Sequence, residues 1–179
     1  MIKQMCRSVL VGSAALSVLF LGGCQKAQNT RSEFSMGERV PVGQMTYSVI
    51  ESSWRTQLGE SFKTRTPENR FLLIKVSVTN GTGKDVSIPL LTLEGNNGQT
   101  FREIADGDGV DNWFGLLRTI SPGQTQQGNV LFDVPLTSFK LRVPDVNETG
   151  FEGYASVLIP LRLDSELPIQ APTNPDDLK

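Results

Sequence analysis

Phe71-Leu72-Leu73-Ile74-Lys75-Val76-Ser77-Val78-Thr79-Asn80 is the stretch that decides the fold. Leu72, Ile74, Val76 and Val78 fall on one side of an extended chain, and Lys75, Ser77 and Thr79 on the other. A period of two with one apolar face is the signature of an antiparallel strand whose other face meets water. The polar, glycine-bearing segment Asn80-Gly81-Thr82-Gly83-Lys84-Asp85 then turns the chain. Working outward, similar runs occupy Met45–Ser52, Val86–Glu94, Gln99–Ile104, Gln127–Val134, Phe139–Val143 and Tyr154–Leu163. Asn96-Asn97-Gly98 and Pro122-Gly123 are the clearest turns between them. Pro89 and Pro160 fall inside apolar runs, where a missing N–H implies an edge, a bulge or a break. No stretch from the tether onward sustains a helical stripe over three turns, although Val110–Leu117 has room for one short helix. About seven or eight short strands spaced in this way predict an all-β antiparallel sandwich over residues 39–164.

The amino-terminal end reads differently. Lys3 and Arg7 open the chain, no acidic residue precedes Glu33, and Ser8–Leu21 is almost wholly apolar or small. That run is about 14 residues, whereas a membrane-spanning helix needs roughly 18–20. It has the length of a signal-peptide core, which is removed and contributes nothing to the fold. Leu21-Gly22-Gly23-Cys24 follows it and resembles the bacterial lipobox: an aliphatic residue, two small residues and an obligatory cysteine. The resemblance implies a signal peptide over residues 1–23, diacylglycerol on Cys24, cleavage before it and fatty acylation of the new amino terminus, typically with palmitate. Each buried methylene contributes about 0.8 kcal/mol, so two or three chains on one residue make a lasting anchor. By the sorting pattern of enteric bacteria, Gln25 after the lipidated cysteine implies an outer-membrane location where the host has such a membrane.

Residues 24–38 (CQKAQNTRSEFSMGE) are polar and aperiodic and are expected to form a lipidated tether. The Pro-spaced, acidic residues 165–179 are expected to form a disordered tail. Cys6 leaves with the signal and Cys24 takes lipid, so no thiol remains for a disulfide framework. Losing Lys3 and Arg7 lowers the formal charge from −2 to −4, which argues against nucleic acid as a partner.

Three groups of residues carry a family resemblance. The strand Phe71–Asn80 ends in asparagine. Leu93-Glu94-Gly95-Asn96-Asn97-Gly98-Gln99-Thr100-Phe101 forms an aliphatic–polar–glycine–aromatic hairpin. Ile120-Ser121-Pro122-Gly123 is followed by Gly128-Asn129-Val130-Leu131-Phe132-Asp133-Val134-Pro135, a Pro-Gly turn and then a strand ending in Val-Pro. Together they resemble an immunoglobulin-like domain of unknown function common in bacterial lipoproteins and akin to a secreted mycobacterial immunoprotective antigen. The resemblance spans residues 39–160 and implies a sandwich in the cell envelope. It brings no catalytic residues with it.

The residue inventory narrows the chemistry. The chain has no histidine, which removes the usual general base and the commonest zinc ligand. It has no Gly-x-Ser-x-Gly elbow, and Gly81-Thr82-Gly83-Lys84 lacks the first glycine and the final hydroxyl of a phosphate loop. Glu51, Glu94 and Glu103 stand on strands with no sign that two converge. No catalytic residue, metal or cofactor is therefore expected, and Trp54 is expected in the core. Ala105-Asp106-Gly107-Asp108-Gly109-Val110-Asp111-Asn112-Trp113-Phe114 stands apart. Asp106, Asp108 and Asp111 could wrap a hard cation, but they offer few fixed oxygens. The expectation is a partner-binding loop with Trp113 and Phe114 exposed beside the charges. The resulting picture is a lipid-anchored envelope protein with a non-catalytic binding module, its partner a protein or envelope polymer. The alternatives are a small metal-dependent or carboxylate-driven hydrolase, or a structural spacer.

Overall fold

The strand that begins at Phe71 is the centre of one sheet. In a computed structural model, which describes residues 32–60, 62–146 and 153–162, it pairs antiparallel on both sides. The strands are β1 (Glu33–Ser35), β2 (Val40–Val42), β3 (Met45–Arg55), β4 (Phe71–Asn80), β5 (Val86–Ser87), β6 (Thr92–Gly95), β7 (Thr100–Arg102), β8 (Thr119–Ile120), β9 (Thr125–Asp133), β10 (Phe139–Pro144) and β11 (Tyr154–Ile159). One sheet has the order β2-β3-β4-β9, a second β1-β11-β10-β6-β7, and β5 pairs with β8 alone. No helix occurs among the described residues, and none of them could cross a membrane as one. Cys24, the signal segment and residues 165–179 lie outside the described residues.

The core lies between the two sheets. Tyr47, Leu72, Ile74, Val76 and Phe132 of the first sheet meet Leu93, Phe139, Leu141 and Val157 of the second. Burial alternates along β4 as the period of two requires. The all-β sandwich predicted from that period is the fold. The runs are cut into more and shorter strands than seven or eight. Pro89 separates β5 from β6, and β11 stops at Ile159 before Pro160. A bulge between Val49 and Glu51 pushes Ile50 outward. Val110–Leu117 forms no helix, and Trp54 is half-buried against the core.

The expected tether requires correction. β1 lies parallel to β11, with Phe34 opposite Val157, and Ser32 O accepts the Ser156 N–H at 2.7 Å. Phe34 is buried in the main core and Met36 packs against it, so residues 33–38 belong to the sandwich. Phe34 and Met36, the two large apolar residues of that polar segment, are what draw it in.

Two polar side chains organise the interior. Asn80 Nδ2 donates to the carbonyls of Lys84 (2.8 Å) and Ile120 (2.7 Å), and its Oδ1 accepts from Thr82 N (2.8 Å) and Oγ1 (2.7 Å). The asparagine that ends β4 thus stitches its turn to β8. Arg118, 1% exposed, contacts Glu103 through Nη2, donates from Nε to Gly115 O and lies 5.0 Å from the Phe114 ring. Leu91 N donates to the other Glu103 oxygen at 2.8 Å. Among the described residues this is the one ion pair with both side chains fully buried. Burial raises the Glu103 carboxyl above its ordinary range, against the Arg118 contact and the Leu91 N–H, which pull it down.

Candidate binding groove beside the acidic loop

The acidic loop is built into the fold rather than displayed from it. Asn129 N donates to Asn112 O at 2.8 Å and Phe114 N to Asn129 O at 2.9 Å, so residues 112–114 run parallel to β9. Phe114 is 2% exposed and belongs to the main core. It fits there because position 128 is glycine: a Cβ on Gly128 would lie 2.5 Å from Phe114 Cα. Trp113 is half-buried and lies over Gly107, where a Cβ would come within 2.0 Å of the indole. The exposed aromatic pair expected at Trp113 and Phe114 is therefore overturned. The chain spends both rings on packing.

The carboxylates have near neighbours of opposite charge. Asp108 lies 2.5 Å from Lys63 Nζ, and Asp106 lies 3.5 Å from Arg65, which also donates to the Asp106 carbonyl at 3.0 Å. The Lys63 hydrogen bond and charge lower the Asp108 carboxyl, and the Asp108 hydrogen bond and charge raise Lys63. Both groups are solvent-exposed, so the pairing is weak in energy and serves mainly to align two loops. Asp111 contributes its carbonyl to Asn129 Nδ2 at 2.7 Å. Asp106, Asp108 and Asp111 do not gather around one point. Among the described residues no three acidic side chains could hold a metal ion together.

The alignment of the two loops creates a different feature. On the outer face of the sheet, Phe71 and Leu131 are buried with Leu58, and Leu73, Ile104 and Val110 pack against them. Residues 57–59 and 109–111 form walls over this small apolar floor. Gly109 (φ +76°) and Gly59 approach so closely that a Cβ on the former would sit 2.7 Å from the latter's nitrogen. Between the walls a groove of about 350 Å³ runs along the sheet. Glu51, Arg55, Lys75, Asp111, Ser53 and Asn129 line it. Strand register explains the set: Glu51 faces Lys75, which faces Asn129, in one outward row. None of the four charged residues is in an ion pair among the described residues, in contrast to Asp106 and Asp108.

Only Asp111 of this groove was visible as a candidate in the sequence. The outward parity of Glu51, Ser53 and Lys75 was a usable signal, but which outward residues lie under loops was not. The structure thus brings Glu51 and Asp111 to one groove, and leaves Glu94 on β6 of the other sheet, bonded to Arg142 of β10 at 2.6 Å.

Residues 34–152 match a family described as Domain of unknown function (DUF4352). The chain belongs to this family. Among solved structures, the yjhA protein of Bacillus subtilis is 16% identical, with 70% of this chain and 98% of that one covered and a TM-score of 0.54. The ycdA protein of the same species, described as a candidate lipoprotein, is 14% identical over 70% of this chain and 39% of its own, also at 0.54. The secreted protein MPT63 of Mycobacterium tuberculosis is 16% identical over 74% and 98%, with a TM-score of 0.49. The first two superpositions show a shared fold, and the third is too loose to add to them. No curated protein matches the sequence.

Proposed function

We propose that this DUF4352 protein is a lipid-anchored extracytoplasmic protein whose sandwich is a non-catalytic binding module, with the groove over β3, β4 and β9 as its recognition surface. The groove is the observation that carries the reading. It offers charges of both signs, Glu51, Arg55, Lys75 and Asp111, on rigid strands and a pinned loop, with no ion pair among them to break before a ligand binds. A mixed-charge, shallow cleft of this kind suits a polar chain, a peptide or an envelope polymer, better than a small apolar molecule. The absence of histidine and of a free thiol from the mature sequence supports a binding role over an enzymatic one. Leu21-Gly22-Gly23-Cys24 supports the lipid anchor, as does the description of one structural neighbour as a candidate lipoprotein.

Two experiments test the proposal. Cys24→Ser is expected to abolish fatty-acid labelling and to leave an uncleaved precursor or a soluble species. Mature-sized mutant protein that still partitions into detergent would overturn the anchor. For the groove, crosslinked capture from intact cells is compared between the wild type and a Glu51→Ala, Lys75→Ala, Asp111→Ala triple variant. Loss of the captured partner with unchanged thermal unfolding is the expected result. Equal recovery places binding elsewhere, and no enriched partner in either sample leaves the spacer reading in its place.

A further inference from the structure

The face on which the groove lies extends well past it. Strand register gives the outward side chains of β3, β4 and β9 row by row. Arg55, Phe71 and Asp133 share one row, Ser53, Leu73 and Leu131 the next, and Glu51, Lys75 and Asn129 the third. The groove and its apolar floor lie over these rows. Beyond the third, the sheet runs on through Ser48, Ser77 and Gln127, and then through Thr46, Thr79 and Thr125. All of these carry hydroxyl or amide side chains and none is buried, while the intervening Tyr47, Val49, Val76 and Val78 point into the core. The hydroxyls of Thr79 and Thr125 share a hydrogen bond at 2.8 Å. From the first row to the last the face measures roughly 27 Å along β4 and about 10 Å across the three strands.

The two halves of this face call for different chemistry from one ligand. In the groove, Glu51 and Asp111 stand with Arg55 and Lys75, so the charges sum to zero. A polyanion, such as a phosphate-rich envelope polymer, needs a basic face instead. A ligand with free amines and carboxylates in close succession satisfies both signs at once. The rows beyond the groove offer only neutral donors and acceptors, which complement hydroxyl and acetamido groups. A folded protein is a poor match, because protein interfaces are anchored by aromatic and apolar side chains seated in pockets. Phe71, the one aromatic residue at an outward position of the three strands, is buried with Leu58, and Trp113 at the sheet edge packs its indole on Gly107. A bare sugar chain likewise finds no free-standing ring to stack on. The affinity has to come from the charged groove.

We propose that the ligand of this face is peptidoglycan, with its N-acetylated sugars along the hydroxyl and amide rows and an amphoteric stem peptide in the groove. The inference rests on the groove being the recognition surface, and it names the polymer that the groove takes. Carboxylates of the stem meet Lys75 and Arg55, its free amine meets Glu51 and Asp111, and its small alkyl side chains rest on Leu58 and Leu73. Ser48, Ser77 and Gln127 then hydrogen-bond to sugar where the stem joins the glycan. Exposed charge pairs are individually weak, so retention comes from the high local concentration of stems in the polymer.

The test is co-sedimentation of the purified full-length protein, expressed with its own signal and held in detergent micelles, with insoluble peptidoglycan sacculi. Wild type is expected in the pellet. The Glu51→Ala, Lys75→Ala, Asp111→Ala triple variant should bind roughly 10-fold or more weakly. Ser48→Val with Ser77→Val, at outward strand positions that suit β-branched residues, should weaken binding by a smaller factor. Both variants should match the wild type in thermal unfolding. Stem peptides released by an amidase should displace the wild type, and the stem-free glycan strands should displace it less. Wild type that stays in the supernatant overturns the peptidoglycan assignment, and a partner captured through the same groove residues would then leave the groove reading standing. Equal sedimentation of wild type and triple variant overturns both, because the polymer is then held elsewhere. Displacement by glycan strands and not by stems overturns the placement of the stem in the groove.

Discussion

Replacing Arg118 by methionine is the most informative single perturbation of this fold. Methionine retains much of the packing volume but removes the guanidinium from Glu103, from the Gly115 carbonyl and from the face of Phe114. The Glu103 carboxylate then has no countercharge, and its remaining partner among the described residues is the Leu91 N–H. Breaking a buried pair from one side costs about 3–5 kcal/mol, a large part of the roughly 5–15 kcal/mol that holds an ordinary domain together. For a sandwich of this size the midpoint should fall by roughly 10–20 °C. Urea and thermal unfolding followed by Trp54 and Trp113 fluorescence measure it. The double variant Arg118→Met, Glu103→Leu separates charge from packing, because a buried pair replaced by apolar residues is often neutral or stabilising. The double variant should therefore be more stable than the single one. A single variant within about 0.5 kcal/mol of wild type, or a double variant no better than the single, would refute the argument.

The same carboxyl predicts a pH dependence. Burial places the folded-state pKa of Glu103 above its unfolded value, so the unfolded chain releases this proton first as pH rises. Its contribution is present below about pH 4.3 and is lost as pH climbs through the folded-state value. Glu103→Gln should flatten that part of the stability profile, and an unchanged profile would contradict the direction. Phe114→Ala should cost about 3–5 kcal/mol in urea unfolding, whereas an exposed recognition residue would cost almost nothing. Phe34→Ala should cost about 3 kcal/mol, and a chain begun at residue 39 should unfold earlier still; equal stability would return residues 33–38 to the tether. Gly128→Ala drives a methyl into the Phe114 backbone and should cost about 1–3 kcal/mol, measured by the same denaturation.

The sandwich was legible because β4 obeys a strict period of two and its neighbours repeat it in weaker form. The same period of two holds at Tyr47, Val130, Phe132, Leu141 and Val143, all buried, within runs that the sequence marked as strands. What parity cannot supply is the contact between segments distant in sequence. β1 is three residues long and pairs with a strand more than a hundred positions away, so no local pattern announces it. The loop from Ala105 to Leu117 misled for a sharper reason. Composition read its aromatics as a surface patch and took no notice of Leu116, Leu117 or Arg118. Burial there is decided by Gly115's positive φ and by a glycine on another strand, Gly128, which leaves room for Phe114. Glu103 continues the inward parity of Phe101. A carboxylate at an inward position was the one local sign that a buried cation had to exist.

The short segment 112–114 has a consequence for how the protein would fail. β9 is nine residues long, and its partner β4 satisfies one side only. The other three outermost strands, β1, β2 and β7, are three residues each, and β2 carries Pro41, which has no N–H to offer. β9 is therefore the one edge long enough to template the backbone of another chain, and it is closed by three backbone hydrogen bonds, two from residues 112–114 and one from Ile104 to the Leu131 carbonyl, and by the weight of one phenylalanine in the core. A substitution that frees Phe114 opens that edge before it melts the sandwich. Such variants should be lost to strand-on-strand self-association, at a rate that rises with protein concentration, while most of the domain is still folded.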